Sequence, residues 1–469
     1  MLSKQPKDFT TGPLFWRITV FALPLMLTSL LQILYNMADN IVVGQFSGDP
    51  TALAAVGSTL TAAGIIVNFL IGISTGAGIV VARSIGASDD KMTSRSVHTS
   101  MALSAVLGIS FCAVAFLIAR PLLLLLGTKP ELLEGATLYL SIICLGIPFQ
   151  TVYNFGAAVQ RSAGNSKISL YVLGVSGLVN VLLNLVFVIV LKMSVAGVAL
   201  ATVISHILSA FLIVISLVKR TDSARLVFSK LRIELSLLKP IIKLGLPSGI
   251  QSSTFGIANM VLTSAINTLS TSTIYAFTVV NSVDGLASTV MNAYAQAAST
   301  FVAQNYGARN YKRIMKSMSY SLIWGVSAGV IGGQLMRIFS EPLAALFVTS
   351  SNPLFPEILK EATSMLNITL NFLFLCSLMN TFSGVLKSVG FSLSSMLSCI
   401  IGVVGGRLTW IFLFFPMERF NSGAGLIICF PVAWLLTSVL LGIILIIAMR
   451  RAKKSFSVEP SIQGEEATA

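Results

Sequence analysis

The chain has 469 residues, of which 55% are hydrophobic and only 10% are charged, and its formal net charge at pH 7 is +14. Soluble domains carry about 25% charged residues. The many long hydrophobic stretches therefore exclude a soluble body with a single membrane anchor, and they indicate a chain that lies mostly in lipid.

Twelve apolar stretches are long enough to cross a bilayer as helices, which takes about 20 residues. They lie at 14–44, 52–82, 97–120, 136–160, 168–191, 195–218, 241–268, 272–303, 317–338, 362–386, 392–415 and 423–449. The first stretch is too long for the hydrophobic region of a cleavable signal, so we expect no such signal. An even number of crossings places both termini on the same side of the membrane.

The basic residues indicate which side that is. Most of the 31 Lys and Arg residues fall in the tails and in the loops on the side of the termini. Loops rich in Lys and Arg stay in the cytoplasm, so we predict a multi-pass protein of the cell (inner) membrane with both termini cytoplasmic. This orientation accounts for the net charge, and we expect no nucleic-acid partner.

The two halves of the chain resemble each other in sequence. In the same order along each half, FALPLMLTSLLQILYNM (21–37) matches KLGLPSGIQSSTFGIANM (243–260), VARSIGASDDK matches VAQNYGARNYK, and NFGAAVQRSAG matches NTFSGVLKSVG. Each half has an even number of spans and begins in the cytoplasm, so the repeats are parallel, as in many secondary transporters. We predict an N-terminal tail (1–13), a six-helix lobe (14–218), a cytoplasmic linker (219–240), a second six-helix lobe (241–450) and a C-terminal tail (451–469).

The first half carries an acid within a predicted span. A carboxylate at the centre of a spanning helix costs about 2.5–3.5 kcal/mol on insertion scales, so such residues are candidates for function. Asp39 has Asn36 on its face of span one, and Asn180 and Asn184 share a face of span five. The alternative is a hydrated helix cap, because Asp39 lies about 33 Å beyond Arg17, near the outer end of a 30 Å core.

The second half carries its own polar site. Asp284 lies near the middle of span eight with Asn281 on the same face, and Asn292 and Gln296 continue this polar face. Its candidate roles are binding of a substrate cation, a second proton site, or a hydrogen bond between helices. Arg407 is the one arginine away from the ends of a predicted span, and we expect a structural pairing within this lobe, where Asp284 is the buried acid. A role in gating is the alternative.

The runs ALPLMLTSLLQILYNMADNIVVGQF, VARSIGASDDK and VAQNYGARN, with the twelve-span layout, resemble the multidrug and toxic compound extrusion (MATE) family over about residues 14–450. The resemblance implies an all-α integral membrane protein with twelve transmembrane helices in two parallel six-helix lobes around a central cleft. It also implies export of amphipathic, often cationic, organic compounds, driven by a sodium or proton gradient. The chain is most similar to the bacterial DinF-like branch, because spans seven and ten lack the acids of another branch.

The resemblance also implies a cation-coupling site. The family pattern joins an acid on helix one, an Asn and an acid on helix five and a Thr on helix six, which correspond here to Asp39, Asn180, Asn184 and Thr202. Asn184 replaces the second acid, so the site loses one negative charge, which favours H⁺ over Na⁺ as the coupling ion. The family's helix-one proline corresponds to Pro24. We hypothesise that protonation of Asp39 favours a bent helix one; a static kink is the alternative.

Six further side chains are expected to approach the cleft: Tyr35, Asn259, Met260, Met291, Asn292 and Gln296. Sixteen methionines suit a pocket that adapts to varied ligands. The predicted partners are small amphipathic organic cations and membrane lipids. We expect a monomer with no cofactor and no metal beyond a transported Na⁺.

Other functions fit the sequence less well. A flippase of the same superfamily, moving lipids or lipid-linked oligosaccharides, would place basic side chains in its cavity, where this chain has acids and amides and only Arg407. A major-facilitator transporter also has parallel halves, but its basic loop between spans two and three is not matched. The chain has two histidines and no HExxH or phosphate-binding loop, so an enzyme is not expected. A channel would not need the duplication.

Overall fold

The structure is a computed structural model that describes residues 8–46, 51–125, 127–349 and 353–458, without the side chains of 60–62, 257 and 458. Every regular element in these ranges is helical.

The first half of the chain forms six long helices. They are α1 (Phe15–Phe46), α2 (Ala52–Gly86), α3 (Asp90–Leu125), α4 (Pro130–Ser162), α5 (Lys167–Asn184) and α6 (Ser194–Val218). A π-helical segment, Leu185–Val190, continues α5, and a short 3₁₀ turn at Phe228–Lys230 lies in the connection to the second half.

The second half begins with three long helices, α7 (Leu235–Ile266), α8 (Thr271–Gly307) and α9 (Tyr311–Ile338). They are followed by α10 (Ser340–Ala345), α11 (Phe355–Asn371), α12 (Leu373–Ser388), α13 (Ser392–Cys399), α14 (Gly406–Thr409), α15 (Gly423–Ile427) and α16 (Cys429–Val458). π-helical segments at Ile400–Gly405 and Trp410–Phe414 flank α14 and make α13 and α14 parts of one continuous element.

The predicted spans correspond to these helices. Within the described residues, nine helical segments are long and apolar enough to cross a membrane, and a tenth is added if α11 and α12, bent by 46° at their junction, form one span. The 32-residue α7 and the 28-residue α9 are also long enough but are less apolar than these segments. Each of the twelve predicted spans coincides with one helix or one run of consecutive helices. The predicted fold class, an all-α integral membrane protein, is confirmed.

The helices group into two compact units. One unit contains Met1–Asp8 and Leu23–Ser253, and the other contains Phe9–Ala22 and Thr254–Ala469, as far as these residues are described. The division between these units falls inside α1 and α7. The lobes at 14–218 and 241–450 stay a prediction from the sequence.

Both divided helices contain proline. α1 is continuous through Pro24, and α7 is continuous through Pro240 and Pro247. Proline has no N–H to donate, so one carbonyl in the preceding turn lacks its usual partner. The carbonyl of Pro24 itself accepts a hydrogen bond from the Thr28 hydroxyl at 2.7 Å. The helical hydrogen-bond ladder is thus weakest in the turn next to the unit boundary at Leu23.

Glycines bring α2 and α7 into close contact in the first unit. Gly72 and Gly76 of α2 face Gly249 and Gly245 of α7, and each pair is spaced by four residues. A methyl carbon on Gly76 would lie 2.5 Å from Gly245 Cα and 2.7 Å from the carbonyl oxygen of Ile241. Small residues at this spacing let two membrane helices approach at backbone distance.

The connection between the halves is ordered against α3. The Val227 amide donates to Nε2 of the buried His98 at 3.0 Å, and the Ser94 carbonyl lies 2.6 Å from His98 Nδ1. These two partners fit the neutral tautomer with the proton on Nδ1. Glu234, at the end of the connection, pairs with both Arg95 and Arg232.

Candidate functional site

The Asp39 carboxylate is buried among three helices. The residue is 6% exposed, and its two oxygens accept hydrogen bonds from different helices. Oδ1 accepts from Nδ2 of Asn184, at the end of α5, at 2.5 Å. Oδ2 accepts from Oγ1 of Thr202, on α6, at 3.3 Å. Asp39 is therefore not the hydrated helix cap that the sequence left open as an alternative.

Asn180 completes this cluster. It lies four residues before Asn184, so both amides project from one face of α5, and both residues are fully buried. Asn184 Nδ2 also donates to Asn180 Oδ1 at 3.0 Å, and Asn180 Nδ2 donates to Thr202 Oγ1 at 3.5 Å. α5 changes from α-helix to π-helix directly after Asn184. Single π-helical turns in membrane and soluble helices are frequent at functional sites.

The hydrogen bonds leave free capacity around the carboxylate. An ionised carboxylate has about four acceptor positions, and the described residues supply two donors to Asp39. The one hydroxyl proton of Thr202 is shared between Asp39 Oδ2 and the carbonyl of Val198, at 2.9 Å. Asn184 Oδ1 is buried without a partner. The cluster can therefore accept a further proton or a small cation on Asp39 and neighbouring amide oxygens.

No Lys or Arg of the described chain forms an ion pair with Asp39. A buried charge is costly unless it is paired, so neutralisation of this carboxylate has to come from a proton or from a bound cation. The oxygens able to contact such a cation belong to Asp39, Asn180, Asn184 and Thr202. Within the described residues, no group of three or more His, Cys, Asp or Glu side chains offers an alternative metal site.

Asn36, predicted as a neighbour of Asp39, is exposed, and its side chain is not part of the hydrogen-bonded cluster. Residues three apart on a helix point about 60° apart, and of these two side chains only that of Asp39 is hydrogen-bonded to α5 and α6. Tyr35, predicted to approach the cleft, is half-buried on α1.

The second unit holds Asp284 in a simpler site. Thr369 of α11 donates its hydroxyl to Asp284 Oδ1 at 3.0 Å, whereas Asp284 Oδ2 is buried without a partner. Asn281, expected to be a neighbour, is exposed. Thr369 could not be predicted, because a threonine in a spanning helix gives no signal of the helix that it faces.

Arg407 pairs within the second unit, but its partner is Asn259 and not the expected acid Asp284. Arg407 is 5% exposed, its Nη1 donates to Asn259 Oδ1 at 2.6 Å, and its guanidinium lies 4.2 Å from the centre of the Phe430 ring. A planar guanidinium can stack on an aromatic face and donate in its own plane at the same time. Phe430 lies on α16, the helix against which α14 packs, so this ring is within reach of Arg407.

The residues predicted to line a cleft are divided between surface and core. Asn259, Met260, Asn292 and Gln296 are exposed. Met291 is only 1% exposed and belongs to the hydrophobic core of the second unit. Met291 and Asn292 point about 100° apart on α8, so one faces the core while the other faces outward. Met291 thus presents no accessible surface to a substrate in this structure.

Comparison with known proteins identifies the family. The MatE family model matches residues 24–186 and 247–409, one match in each half of the chain. The chain is 26% identical over 353 residues to "Probable multidrug resistance protein YoeA" of Bacillus subtilis, covering 73% of this chain and 76% of that protein. It is 24% identical over 414 residues to "Multidrug export protein MepA" of Staphylococcus saprophyticus, covering 86% and 88%.

A solved structure shows the same fold. "Crystal structure of MATE in complex with MaD3S" superposes with a TM-score of 0.86 at 22% sequence identity, covering 97% of this chain and all of that one. The two family matches cover more than half of the chain, in agreement with the internal repeat. The chain belongs to the MatE (MATE) family and is an integral membrane transporter, not an enzyme.

Proposed function

We propose that the protein is a secondary active antiporter that exports amphipathic, often cationic, organic compounds across the cell membrane in exchange for protons. The observation that carries the proposal is the Asp39 cluster, a buried carboxylate that is held by neutral donors and has no basic partner among the described residues. The printed names of the relatives, a multidrug resistance protein and a multidrug export protein, support drugs as the substrate class.

The coupling step is a change in the occupant of Asp39. Entry of a proton neutralises the carboxylate and removes its attraction for a cationic compound, whereas loss of the proton restores that attraction. Two ligands that compete for one charge exchange with each other, provided that the site is open to one side of the membrane at a time. The bilayer makes an unneutralised carboxylate costly, so the empty charged state is rarely occupied.

The arrangement of the amides favours H⁺ over Na⁺. Asn184 presents its NH₂ group to Asp39 and to Asn180, so two amide hydrogens lie where a sodium ion would need oxygen atoms. Hard cations such as Na⁺ prefer carboxylate, amide and hydroxyl oxygens. Binding of Na⁺ would require Asn184 to rotate its amide, whereas a proton needs only an oxygen of Asp39.

The proposal includes a direction and a moving element. With both termini in the cytoplasm, export carries the compound away from the basic loops. Pro24 lies fifteen residues before Asp39 on α1, and proline weakens the helix at that turn. Protonation of Asp39 would redistribute the hydrogen bonds from Asn184 and Thr202 and thereby favour bending at Pro24. Within the second unit, the exposed Asn259 and Asn292 are the proposed contacts for the compound.

Transport in reconstituted vesicles tests the proposal. Vesicles are loaded with a fluorescent cationic dye, and a pH gradient and a sodium gradient are imposed separately. We expect dye movement under the pH gradient, and loss of that movement in Asp39→Asn. Glu131→Gln, which removes an exposed carboxylate at the start of α4, is the matched control and should transport like the wild type. Dye movement under neither gradient would refute the antiporter.

A further inference from the structure

The outward face of α8 is polar from Thr271 to Gln296. Every exposed position of this 37-residue helix is polar, aromatic with a hydroxyl, or glycine: Thr271, Tyr275, Thr278, Asn281, Gly285, Asn292 and Gln296. These positions recur every three, four or seven residues and so form one stripe. By contrast, α6 exposes Ile204, Ile207 and Phe211, as expected for a surface against lipid.

A polar stripe of this kind cannot face hydrocarbon. Amide and hydroxyl groups in lipid would have no hydrogen-bond partners, whereas the same groups are satisfied when they line a water-filled cavity. The exposed face of α8 is therefore better suited to a water-filled space than to lipid.

Asp284 lies at the edge of this stripe. It follows Asn281 by three residues and precedes Gly285, and the residue as a whole is half-buried. Its Oδ1 is fixed by the Thr369 hydroxyl, and its Oδ2 is buried without a hydrogen-bond partner. An ionised carboxylate with one oxygen lacking any donor is the least favourable state of this group, and a proton on Asp284 removes the unpaired charge.

The groups that face Asp284 from neighbouring helices do not neutralise it. α8 packs mainly against α9, α11 and α12, with a smaller contact to α10, which contains no Lys or Arg. α11 contributes the Thr369 hydroxyl, and α12 contributes the Cys376 thiol, whose surroundings include both Asp284 and Arg407. Arg407 instead donates a hydrogen bond to Asn259 and lies over the ring of Phe430. No Lys or Arg on these three helices forms an ion pair with Asp284.

We propose that Asp284 is a second proton-binding site of the transporter, reached from water along the polar face of α8. The ligand is a proton and not a metal ion, because one carboxylate and one hydroxyl supply too few oxygen atoms for Na⁺ or Mg²⁺. This proposal rests on the proposed proton-driven transport for its purpose, but occupancy of Asp284 can be measured without transport.

Carbodiimide labelling of the full chain in lipid nanodiscs measures that occupancy. Dicyclohexylcarbodiimide adds to a protonated carboxylic acid in apolar surroundings and leaves a stable acylurea, which peptide mass spectrometry locates. We expect label on Asp284 that falls several-fold from mildly acidic to mildly alkaline buffer. The exposed carboxylate of Glu131 serves as the internal control and should remain almost unlabelled. Absence of label on Asp284 in both buffers, or labelling that does not change with pH, would overturn the proposal.

Thr369→Val separates a proton site from a packing role. Valine keeps the shape of threonine but removes the hydroxyl that stabilises the ionised carboxylate through Oδ1. We expect several-fold more label on Asp284 of this variant in alkaline buffer, an effect that a packing contact alone would not produce. Equal labelling of the variant and the wild type would contradict the role given to Thr369 and Asp284.

Access along α8 is tested with a charged, membrane-impermeant thiol reagent. Asn281→Cys and Asn292→Cys should react with it, and Ile207→Cys, exposed on the apolar face of α6, should not react above the wild-type background. Failure of both α8 variants to react would overturn the water path. Labelling of Asp284 together with dye movement under neither gradient would refute the antiporter and leave the proton site standing.

Discussion

Replacement of Gly76 by alanine is expected to destabilise the first unit, because α2 and α7 meet there at backbone distance. The new methyl carbon would lie 2.5 Å from Gly245 Cα and 2.7 Å from the Ile241 carbonyl oxygen. Gly72→Ala would place a methyl carbon 2.5 Å from the carbonyl carbon of Ser248. All three obstructing atoms belong to the backbone, so no side chain can rotate away, and the two helices must separate by about 1 Å to reach ordinary contact.

The size of the effect follows from two opposing contributions. Overpacking of a well-packed contact typically costs about 1–3 kcal/mol. Alanine in place of glycine within a helix is favourable by about 0.5–1 kcal/mol, which offsets part of this cost. Gly64→Ala, on the same helix, is the matched control, since a methyl group there meets no atom within 4 Å. We expect the control to be neutral or slightly stabilising, and Gly76→Ala to be less stable than the control by about 2 kcal/mol.

The buried cysteines provide the assay. Cys144, Cys376, Cys399 and Cys429 are buried in the folded chain, so a dye that fluoresces on reaction with thiols reports unfolding in detergent on heating. A difference of about 2 kcal/mol corresponds to a Tm lower by a few degrees. If Gly76→Ala and Gly64→Ala unfolded at the same temperature, the close approach of α2 and α7 would be refuted.

Three further predictions use other contacts. Asn184→Leu removes two hydrogen bonds, one of them to a carboxylate, and we expect it to lower thermal stability in detergent by about 1.5–3 kcal/mol. A loss no larger than that of Leu178→Asn, at a position 65% exposed, would contradict the cluster. Phe430→Leu removes the ring beneath Arg407 and should lower stability by about 1–2 kcal/mol, whereas Phe412→Leu, 69% exposed, should have little effect. The hydrogen bond from Arg95 holds the pKa of Glu234 below its usual value. Glu234 therefore stabilises the docked 219–240 connection at pH values above the usual carboxyl pKa. This stabilisation is lost as the pH falls through the lowered pKa. Glu234→Gln should therefore be less stable than the wild type at neutral pH and equally stable in strong acid. Tryptophan fluorescence follows the unfolding of both proteins. A difference in stability that persisted in acid would exclude the ion pair as its cause.

The helices and the first-half site could be predicted because lipid imposes simple rules. A bilayer requires about 20 apolar residues for each crossing, and this length is visible in the sequence without knowledge of any contact. The four-residue spacing of Asn180 and Asn184 likewise fixes them on one face of α5. The family pattern then indicated Asp39 on α1 and Thr202 on α6 as their partners. Spacing within a single helix could not indicate partners on other helices.

The partners of Asp284 and Arg407 could not be predicted, because they depend on how each helix is rotated about its own axis. Several residues on the neighbouring helices could face each position, so the polar residue that does so is decided by packing between helices. Thr369 and Asn259 lie on helices distant in sequence from their partners, and neither belongs to an acidic or basic motif. The position of the 219–240 connection against α3 also depends on contacts between residues distant in sequence, such as the hydrogen bond from Val227 to His98.

The most direct test of proton exchange at Asp39 is simultaneous recording of dye efflux and proton uptake by single preparations of vesicles. For the wild type we expect dye outside and protons inside to accumulate together in a constant ratio once a pH gradient is applied. For Asp39→Asn we expect proton uptake linked to dye movement to disappear, while Glu131→Gln keeps the wild-type ratio. Coupled proton uptake that persists unchanged in Asp39→Asn would contradict the central role of this carboxylate.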